Sequence, residues 1–442
     1  MMKRTLLSLL TIFIAGPSFA QQADLAKFRK IDSLLTYLNA NNKFMGSVAI
    51  QEKGKVVFDK AYGFANAENK LAAKPDTKYK IGSVTKIFTA AMIFQLIEEK
   101  KLNLNRPLSE FYPKIPNADK ITIGHLLNHK SGIANYTDSS DFEIYRTQQQ
   151  TKKDMLARLE SGEPVFDPGI RGEYSNSNYI LLGYIIQDIT KKSYKENLSK
   201  RITGKAGLKN TYYYTKINPK RNEAYSYTFT NGKWDRTEEW HESVAGAAGA
   251  IQSTATDLTK FINTLFTGKI VSKSSLDQMM TIDWGFGKGL LAYPFLERKF
   301  FGYNGGIESF KSVVSYYPKE EMGFAVLVNG GDYNTNDIIL GILSIYYKKP
   351  FIFPNLTSVA LDESALKVHE GIYSTPSLPF KVDIKLVKGE LVAHATNQGS
   401  FPLNPVSENE FNYPPAGITI TFNAKGFTLR QADGSISQFT KE

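Results

Sequence analysis

Residues 81–99, IGSVTKIFTAAMIFQLIEE, open with a serine and a lysine three positions apart and run on almost entirely apolar. Ile87, Ala90, Ala91, Phe94 and Ile97 recur at helical steps, and no alternating β-branched run competes with them. The spacing predicts a helix from about Ser83 to Glu99. Residues three apart share a helical face, so the Lys86 amine can lie against the Ser83 hydroxyl. A serine hydroxyl is a poor nucleophile until something takes its proton, and a lysine desolvated among apolar residues can have its pKa lowered enough to do so. Ser83 would also gain from the positive end of the helix dipole when negative charge builds beside it. Taken alone, such a pair is more often a helix cap followed by a solvated lysine, so its meaning depends on partners elsewhere.

Upstream, residues 46–64 hold two short β-prone runs divided by Glu52-Lys53-Gly54-Lys55, the pattern of a hairpin. Before them, Leu25, Phe28, Ile31, Leu34, Leu35 and Leu38 mark a helical face. Downstream, residues 100–260 read as helices and loops punctuated by Gly and Pro. After Trp284 the character changes: 309–317 and 322–329 read as strands, and 336–347 as a helix. A sheet built from both ends of this region with a helical lobe inserted between them is expected, with a cleft at the seam. From Val368 onward short alternating runs separated by Lys388-Gly389, Lys425-Gly426 and Asp433-Gly434 predict a small all-β domain. The division expected is a leader over 1–20, a main domain over 21–350 and a β-rich, barrel-like domain over 361–442.

The composition narrows the chemistry. The 442 residues include no cysteine, which excludes disulfides, thiol catalysis, thiolate zinc sites and iron–sulfur clusters. Lys3 and Arg4, an apolar run from Leu6 to Ala15, and Ser18-Phe19-Ala20 have the form of a cleaved secretory signal, and the apolar run is too short to cross a bilayer. A secreted or periplasmic protein with no transmembrane segment after cleavage is expected. Losing the leader lowers the formal net charge of +11 by two. The remaining basic residues are scattered, without the basic patch of a nucleic-acid binder, so no nucleic-acid partner is expected.

Two further segments carry polar groups suited to chemistry. In Tyr174-Ser175-Asn176, alternate side chains of an extended chain would place Tyr174 and Asn176 on one face. A phenol beside ammonium groups can shuttle protons, and the Asn amide can orient Lys86 and a substrate. In Gly302-Tyr303-Asn304-Gly305-Gly306, the glycines allow close approach of a substrate backbone, and the Gly306 amide can join that of Ser83 as an oxyanion hole. Alone, the first segment reads better as a core tyrosine with an Asn in the turn before a helix, and the second as a glycine-rich turn.

Together and in this order, the three segments resemble the serine β-lactamase and penicillin-binding protein superfamily, whose signature begins Ser-x-x-Lys. The likeness is specifically to the branch of class C β-lactamases, D-alanyl-D-alanine carboxypeptidases and esterases, where the second motif is Tyr-x-Asn. It extends to GSVAIQEKGKVVFDKAYGFAN, ITIGHLLNHKSGI, FDPGIRGEYSNSNYILLGYII and AGAAGAIQSTATDLTKF and covers roughly residues 25–348. The resemblance implies an α/β (α+β) fold, with an antiparallel sheet flanked by helices, a helical lobe, and an appended C-terminal β-domain. It makes Ser83 the acylated nucleophile, Lys86 its base or proton relay, Tyr174 the second acid/base group and Asn176 a ligand of substrate and lysine. Tyr303, Asn304 and Gly305 become the third, substrate-binding motif, with Ser83 and Gly306 as oxyanion donors. The family usually has Lys-Thr-Gly, Lys-Ser-Gly or His-x-Gly there, so Tyr303 departs from it. That weakens the grip on a substrate carboxylate unless Arg298, Lys299 or Lys311 supplies charge, and tilts the expectation toward ester or amide hydrolysis.

Lys130-Ser131-Gly132 spells the third motif's letters but precedes Tyr174 and reads as a helix-exit turn. His125 and His129 are four apart, but Leu126 stands where a zinc protease would have Glu, and His241, His369 and His394 are isolated, so neither metal nor cofactor is expected. The expected activity is a serine hydrolase acting through an acyl-enzyme on a D-amino-acid peptide of peptidoglycan type, a β-lactam or a small ester or amide. The alternative is a catalytically impaired penicillin- or peptidoglycan-binding sensor.

Overall fold

The computed structural model describes residues 19–442 except 357, 358, 377, 379, 397, 398, 414, 415 and 432–434, with side chains from residue 25 onward. The expected leader therefore lies outside the described residues save for residues 19 and 20, with which the first helix, Phe19–Ala40, begins. The turn read at Asp433-Gly434 lies outside them too. Among the described residues, no helix is long and apolar enough to cross a membrane. The chain divides into two compact units, one being Leu35–Ile339 and the other containing Leu340–Glu442.

The larger unit is organised by a six-stranded sheet, ordered Leu291–Phe295, Arg298–Ile307, Phe310–Tyr317, Met322–Gly330, Met45–Glu52 and Lys55–Tyr62. Every neighbouring pair is antiparallel. The sheet thus combines strands from both ends of the unit, with the helical lobe between them in sequence. Its N-terminal hairpin turns at Lys53 and Gly54, both with positive φ, as the Lys-Gly pair predicts. Against the strands Met45–Glu52 and Met322–Gly330 lies the helix Ala255–Phe266.

The apolar stretch 81–99 becomes a helix over Thr85–Glu98 in which every side chain from Thr85 to Leu96 is buried. A helix apolar all round is a core helix rather than an amphipathic surface one. Phe88 stacks on Phe261 at 3.7 Å between ring centroids, tying it to the helix that lies on the sheet. Ser83 is not in the α-helix, as its spacing suggested, but in the 3-10 turn Gly82–Val84 just before it. The glycine-rich segment 302–306 also differs from a turn: it lies inside the strand Arg298–Ile307. Pairing with Phe310–Tyr317 runs its whole inner length, whereas pairing with Leu291–Phe295 stops at Gly302. Residues 303–307 consequently have a partner strand on one side only. Propensity penalises glycine in strands, but the tertiary ladder outweighs it.

In the second unit, eight antiparallel strands between Gly371 and Lys441 close into a barrel, with Tyr373 paired to Lys441. Burial alternates along the strands, as in Leu391, Ala393 and Ala395, and the interior is filled by Phe411, Phe427, Ile384 and their neighbours. Closure leaves no exposed sheet edge.

Candidate active site

The site begins with a backbone constraint. Gly82 has φ +47, and a Cβ on it would lie 2.7 Å from the Gly306 carbonyl oxygen. A Cβ on Gly305 would lie 2.2 Å from Ile81 O and 2.8 Å from Ser83 N, while Ser312 Oγ donates to Ile81 O at 2.7 Å. The segment 81–83 is therefore pressed against residues 305 and 306, and only glycine permits the approach. This contact sets the Gly82–Ser83 backbone directly beside that of Gly305–Gly306.

Around Ser83 the predicted side chains converge. Lys86 Nζ lies 2.9 Å from Ser83 Oγ, 2.8 Å from Asn176 Oδ1 and 2.9 Å from the Ala248 carbonyl. Tyr174 Oη is 2.6 Å from Ser83 Oγ and 3.1 Å from Asn176 Oδ1. Ser175 is extended (φ −144, ψ 123) and precedes the helix Asn176–Thr190, so Tyr174 and Asn176 fall to the same side. Lys86 is fully buried, with its Nζ 4.9 Å and 5.5 Å from the ring centroids of Tyr174 and Tyr179. Burial holds its amine well below the ordinary lysine range. Burial pushes Tyr174 up to about 12, against the pull of its bond to Ser83, so the phenol keeps its proton.

The direction of the Lys86 shift favours its neutral form. A neutral amine has two N–H groups and one lone pair, and both Asn176 Oδ1 and Ala248 O can only accept. The two N–H groups therefore go to those oxygens, and the lone pair faces the Ser83 hydroxyl. Ser83 in turn accepts from Tyr174. The Ala248 carbonyl comes from the segment Glu242–Gly249, which is broken at Gly246 (φ 46, ψ −141).

Asn176 is itself oriented. Its backbone N–H and its Nδ2 both donate to Asn135 Oδ1, at 3.0 and 3.2 Å, which turns Oδ1 toward Lys86. Neither Asn135 nor Ala248 carries a sequence signal of its own role. His129, which the sequence marks only by its spacing from His125, also packs against the site. Its ring is buried and packs on Tyr174, Tyr179 and Phe286 at centroid distances of 4.7, 5.3 and 4.9 Å. Burial, then the nearby Lys86, holds it well below the usual histidine range. Its Nδ1 accepts from Ser175 N–H, so the neutral ring carries its proton on Nε2, which lies 3.2 Å from the Tyr303 hydroxyl.

Tyr303 accordingly points inward, 2% exposed, and not into open solvent. Asn304 is exposed and accepts at Oδ1 from Tyr293 Oη at 2.9 Å. The cations named as substitutes for a third-motif lysine are placed elsewhere. Arg298 is bonded to Glu297 and Glu320, and Lys299 lies over Phe301. Lys311 pairs with Gly306 and so projects from the face opposite to Ser312, whose Oγ reaches Ile81.

Lys130-Ser131-Gly132 is a turn beyond the helix Ile123–Leu127. Ser131 Oγ donates to Asn178 Oδ1 at 2.6 Å, and a Cβ on Gly132 would lie 1.9 Å from Phe166 O. His125 completes a capping box with Thr122, which accounts for it without a metal.

Comparison with known proteins places this geometry. The family described as Beta-lactamase matches residues 31–343. The teichoic acid D-alanine hydrolase of Staphylococcus aureus is 30% identical over 317 residues, which cover 69% of this chain and 75% of that protein. Among solved structures, the D-amino acid amidase from Ochrobactrum anthropi SV3 is 26% identical with a TM-score of 0.64, covering 73% of this chain and 99% of its own. The octameric penicillin-binding protein homologue from Pyrococcus abyssi is 27% identical with a TM-score of 0.67, covering 94% and 98%. A match across the unit that holds Ser83 and its partners, together with these relatives, makes the chain a member of the beta-lactamase family of serine hydrolases.

Proposed function

We propose that this protein hydrolyses esters or amides of D-amino acids through an acyl-enzyme on Ser83, and that it acts outside the cytoplasm. The observation that carries the reading is the buried Lys86 amine, 2.9 Å from Ser83 Oγ and held by Asn176 Oδ1 and Ala248 O, an arrangement in which a neutral amine turns its lone pair to Ser83. Ser83 Oγ attacks the carbonyl carbon while its proton passes to Lys86 Nζ. The charge that develops on the carbonyl oxygen is met by the Ser83 and Gly306 amides. The tetrahedral intermediate collapses by breaking the bond to the leaving oxygen or nitrogen, which takes its proton from Tyr174. The Lys86 ammonium restores that proton. Water then attacks the acyl-enzyme, loses a proton to the same groups, and frees the acid and Ser83.

The substrate class follows from what faces the site. A substrate carrying a carboxylate beside the scissile bond, as β-lactams and carboxypeptidase substrates do, needs a cation at the third motif. Here that position is a phenol turned onto His129. Acyl donors whose leaving group carries no carboxylate are favoured, and the teichoic acid D-alanine hydrolase and the D-amino acid amidase support a D-aminoacyl group. The leader-like residues 1–20 support an extracytoplasmic location.

The test is intact-mass spectrometry and turnover with D-alanine methyl ester, D-alanine amide, their L-enantiomers and a β-lactam, with Ser83→Ala alongside. A Ser83-dependent adduct or turnover that favours the D-ester or D-amide is expected. Full turnover by Ser83→Ala would sink the mechanism. A β-lactam adduct that forms stoichiometrically and never clears, with no ester or amide turnover, would move the protein to a penicillin-binding sensor.

A further inference from the structure

Three residues ahead of Ser83 stands Lys80, and two residues beyond Gly306 stands Glu308. Their side chains meet out of water. Lys80 Nζ donates to Glu308 Oε1 at 2.6 Å and to Glu239 Oε2 at 3.3 Å, and the side chains of Lys80 and Glu308 are 0% and 1% exposed. Its amine lies 4.3 Å from the centroid of the Tyr214 ring. Glu308 Oε1 also accepts the Trp240 N–H at 2.8 Å, and Ser226 Oγ donates to Oε2 at 3.4 Å. Glu239 Oε2 accepts the Ile217 N–H at 2.9 Å.

Two features set this cluster apart from an ordinary ion pair. Glu308 has φ +55 in the two-residue turn between the strands Arg298–Ile307 and Phe310–Tyr317, a conformation that Gly or Asn adopts at lower cost. A glutamate is held there by its carboxylate's buried bonds. Lys80 lies in the short strand Tyr79–Lys80, paired with Ile251–Ser253, and Ile81 N donates to Ile251 O. The ion pair therefore links the two backbone segments, 81–83 and 305–306, that press against each other at Ser83. Burying such a pair brings little net stability, because desolvation offsets the attraction.

We propose that the Lys80–Glu308 pair is a positioning device for the acylation of Ser83: it sets the spacing of the Ser83 and Gly306 amides, and thus the fit of the cradle to a tetrahedral oxyanion. The inference rests on the reading of Ser83 as nucleophile. Lys80 and Glu308 touch no reacting atom; they act through the chain segments that they join.

The test compares wild type with Lys80→Met/Glu308→Leu, Glu308→Gln and Ser83→Ala. Three quantities are measured: melting temperature, the acylation rate with an activated short-chain ester, and the same rate with its thionoester, in which sulfur replaces the carbonyl oxygen. A cradle shaped for oxygen discriminates against the larger sulfur, so the ester-to-thionoester ratio reports its geometry. The double variant takes the cation from Glu239 and the acceptor from the Trp240 N–H, so it is expected to melt below wild type while still folding. Its ester acylation is expected to fall about 10- to 100-fold, less than the loss of a whole oxyanion donor, with KM little changed and the ratio reduced. Glu308→Gln, which keeps the shape and an acceptor for Trp240, is expected to show the same change in milder form. Wild-type rate and ratio in a folded double variant would overturn the proposal. So would wild-type rate and ratio in Glu308→Gln if the double variant does not fold. Acylation that persists in Ser83→Ala would instead overturn the nucleophile assignment, so the two failures are distinguishable.

Discussion

Replacing Lys86 with methionine should stabilise this protein at neutral pH while destroying its activity, and the pH dependence of the stability gain gives its cause. In the folded chain the amine is fully buried and held well below the 10.5 of a free lysine. In the unfolded chain it is an ordinary lysine. Between the folded and unfolded values, the unfolded state binds one proton more than the folded state. Stability then rises with pH at about 1.4 kcal/mol per pH unit from this one group. The sign is that of a penalty: absent above 10.5, growing as pH falls, and constant once pH drops below the folded value. Lys86→Met removes it. Denaturant unfolding of both proteins between pH 7.5 and 9.5 should show the wild type gaining on the variant by up to about 2.7 kcal/mol. Groups common to both proteins cancel in the difference. The window also lies above the range in which His129, depressed by burial, changes its protonation between the folded and unfolded states. Parallel stability curves would refute the reasoning, because they would mean that Lys86 is an ammonium in the folded state and has no lone pair to offer Ser83.

Other substitutions test separate parts of the site. Tyr174→Phe removes the phenol 2.6 Å from Ser83 Oγ and should lower turnover about 10²- to 10⁴-fold, with substrates of poor leaving groups suffering most. Gly305→Ala forces a Cβ to within 2.2 Å of Ile81 O, so it should cut acylation sharply while far-UV circular dichroism stays unchanged. Tyr303→Phe leaves the buried His129 Nε2–H without its partner and should cost about 1–3 kcal/mol in chemical denaturation. Asn135→Ala frees the Asn176 amide to rotate, and its acylation loss should appear in kcat more than in KM.

The elements easiest to see in the sequence were those whose pattern is local. The helix behind Ser83, the hairpin at Lys53-Gly54, the strands on either side of residue 320 and the alternating β-rich tail each show a period or a turn within a dozen residues. The strand holding Tyr303 to Gly306 was hidden because its glycines look like a turn, and only pairing with Phe310–Tyr317 makes them a strand. Likewise, a 3-10 turn and an α-helical start place Ser83 and Lys86 on nearly the same face, and only the cap geometry separates them.

By itself the sequence determined that Ser83 stands just ahead of a buried helix with Lys86 on nearly the same side, and that Tyr174 and Asn176 point one way. Short-range stereochemistry suffices for each of these. Tertiary structure alone decided which oxygens hold the Lys86 protons, why the Tyr174 phenol stays protonated, that Tyr303 turns onto His129, and that Lys80 and Glu308 join the segments beside the site. Those outcomes depend on burial and on partners from 90 to 228 residues apart in the chain, such as Lys86 with Asn176 and Lys80 with Glu308. Desolvation and long-range hydrogen bonds exist only once the helical lobe and the sheet have closed on each other, so no local pattern of residues records them.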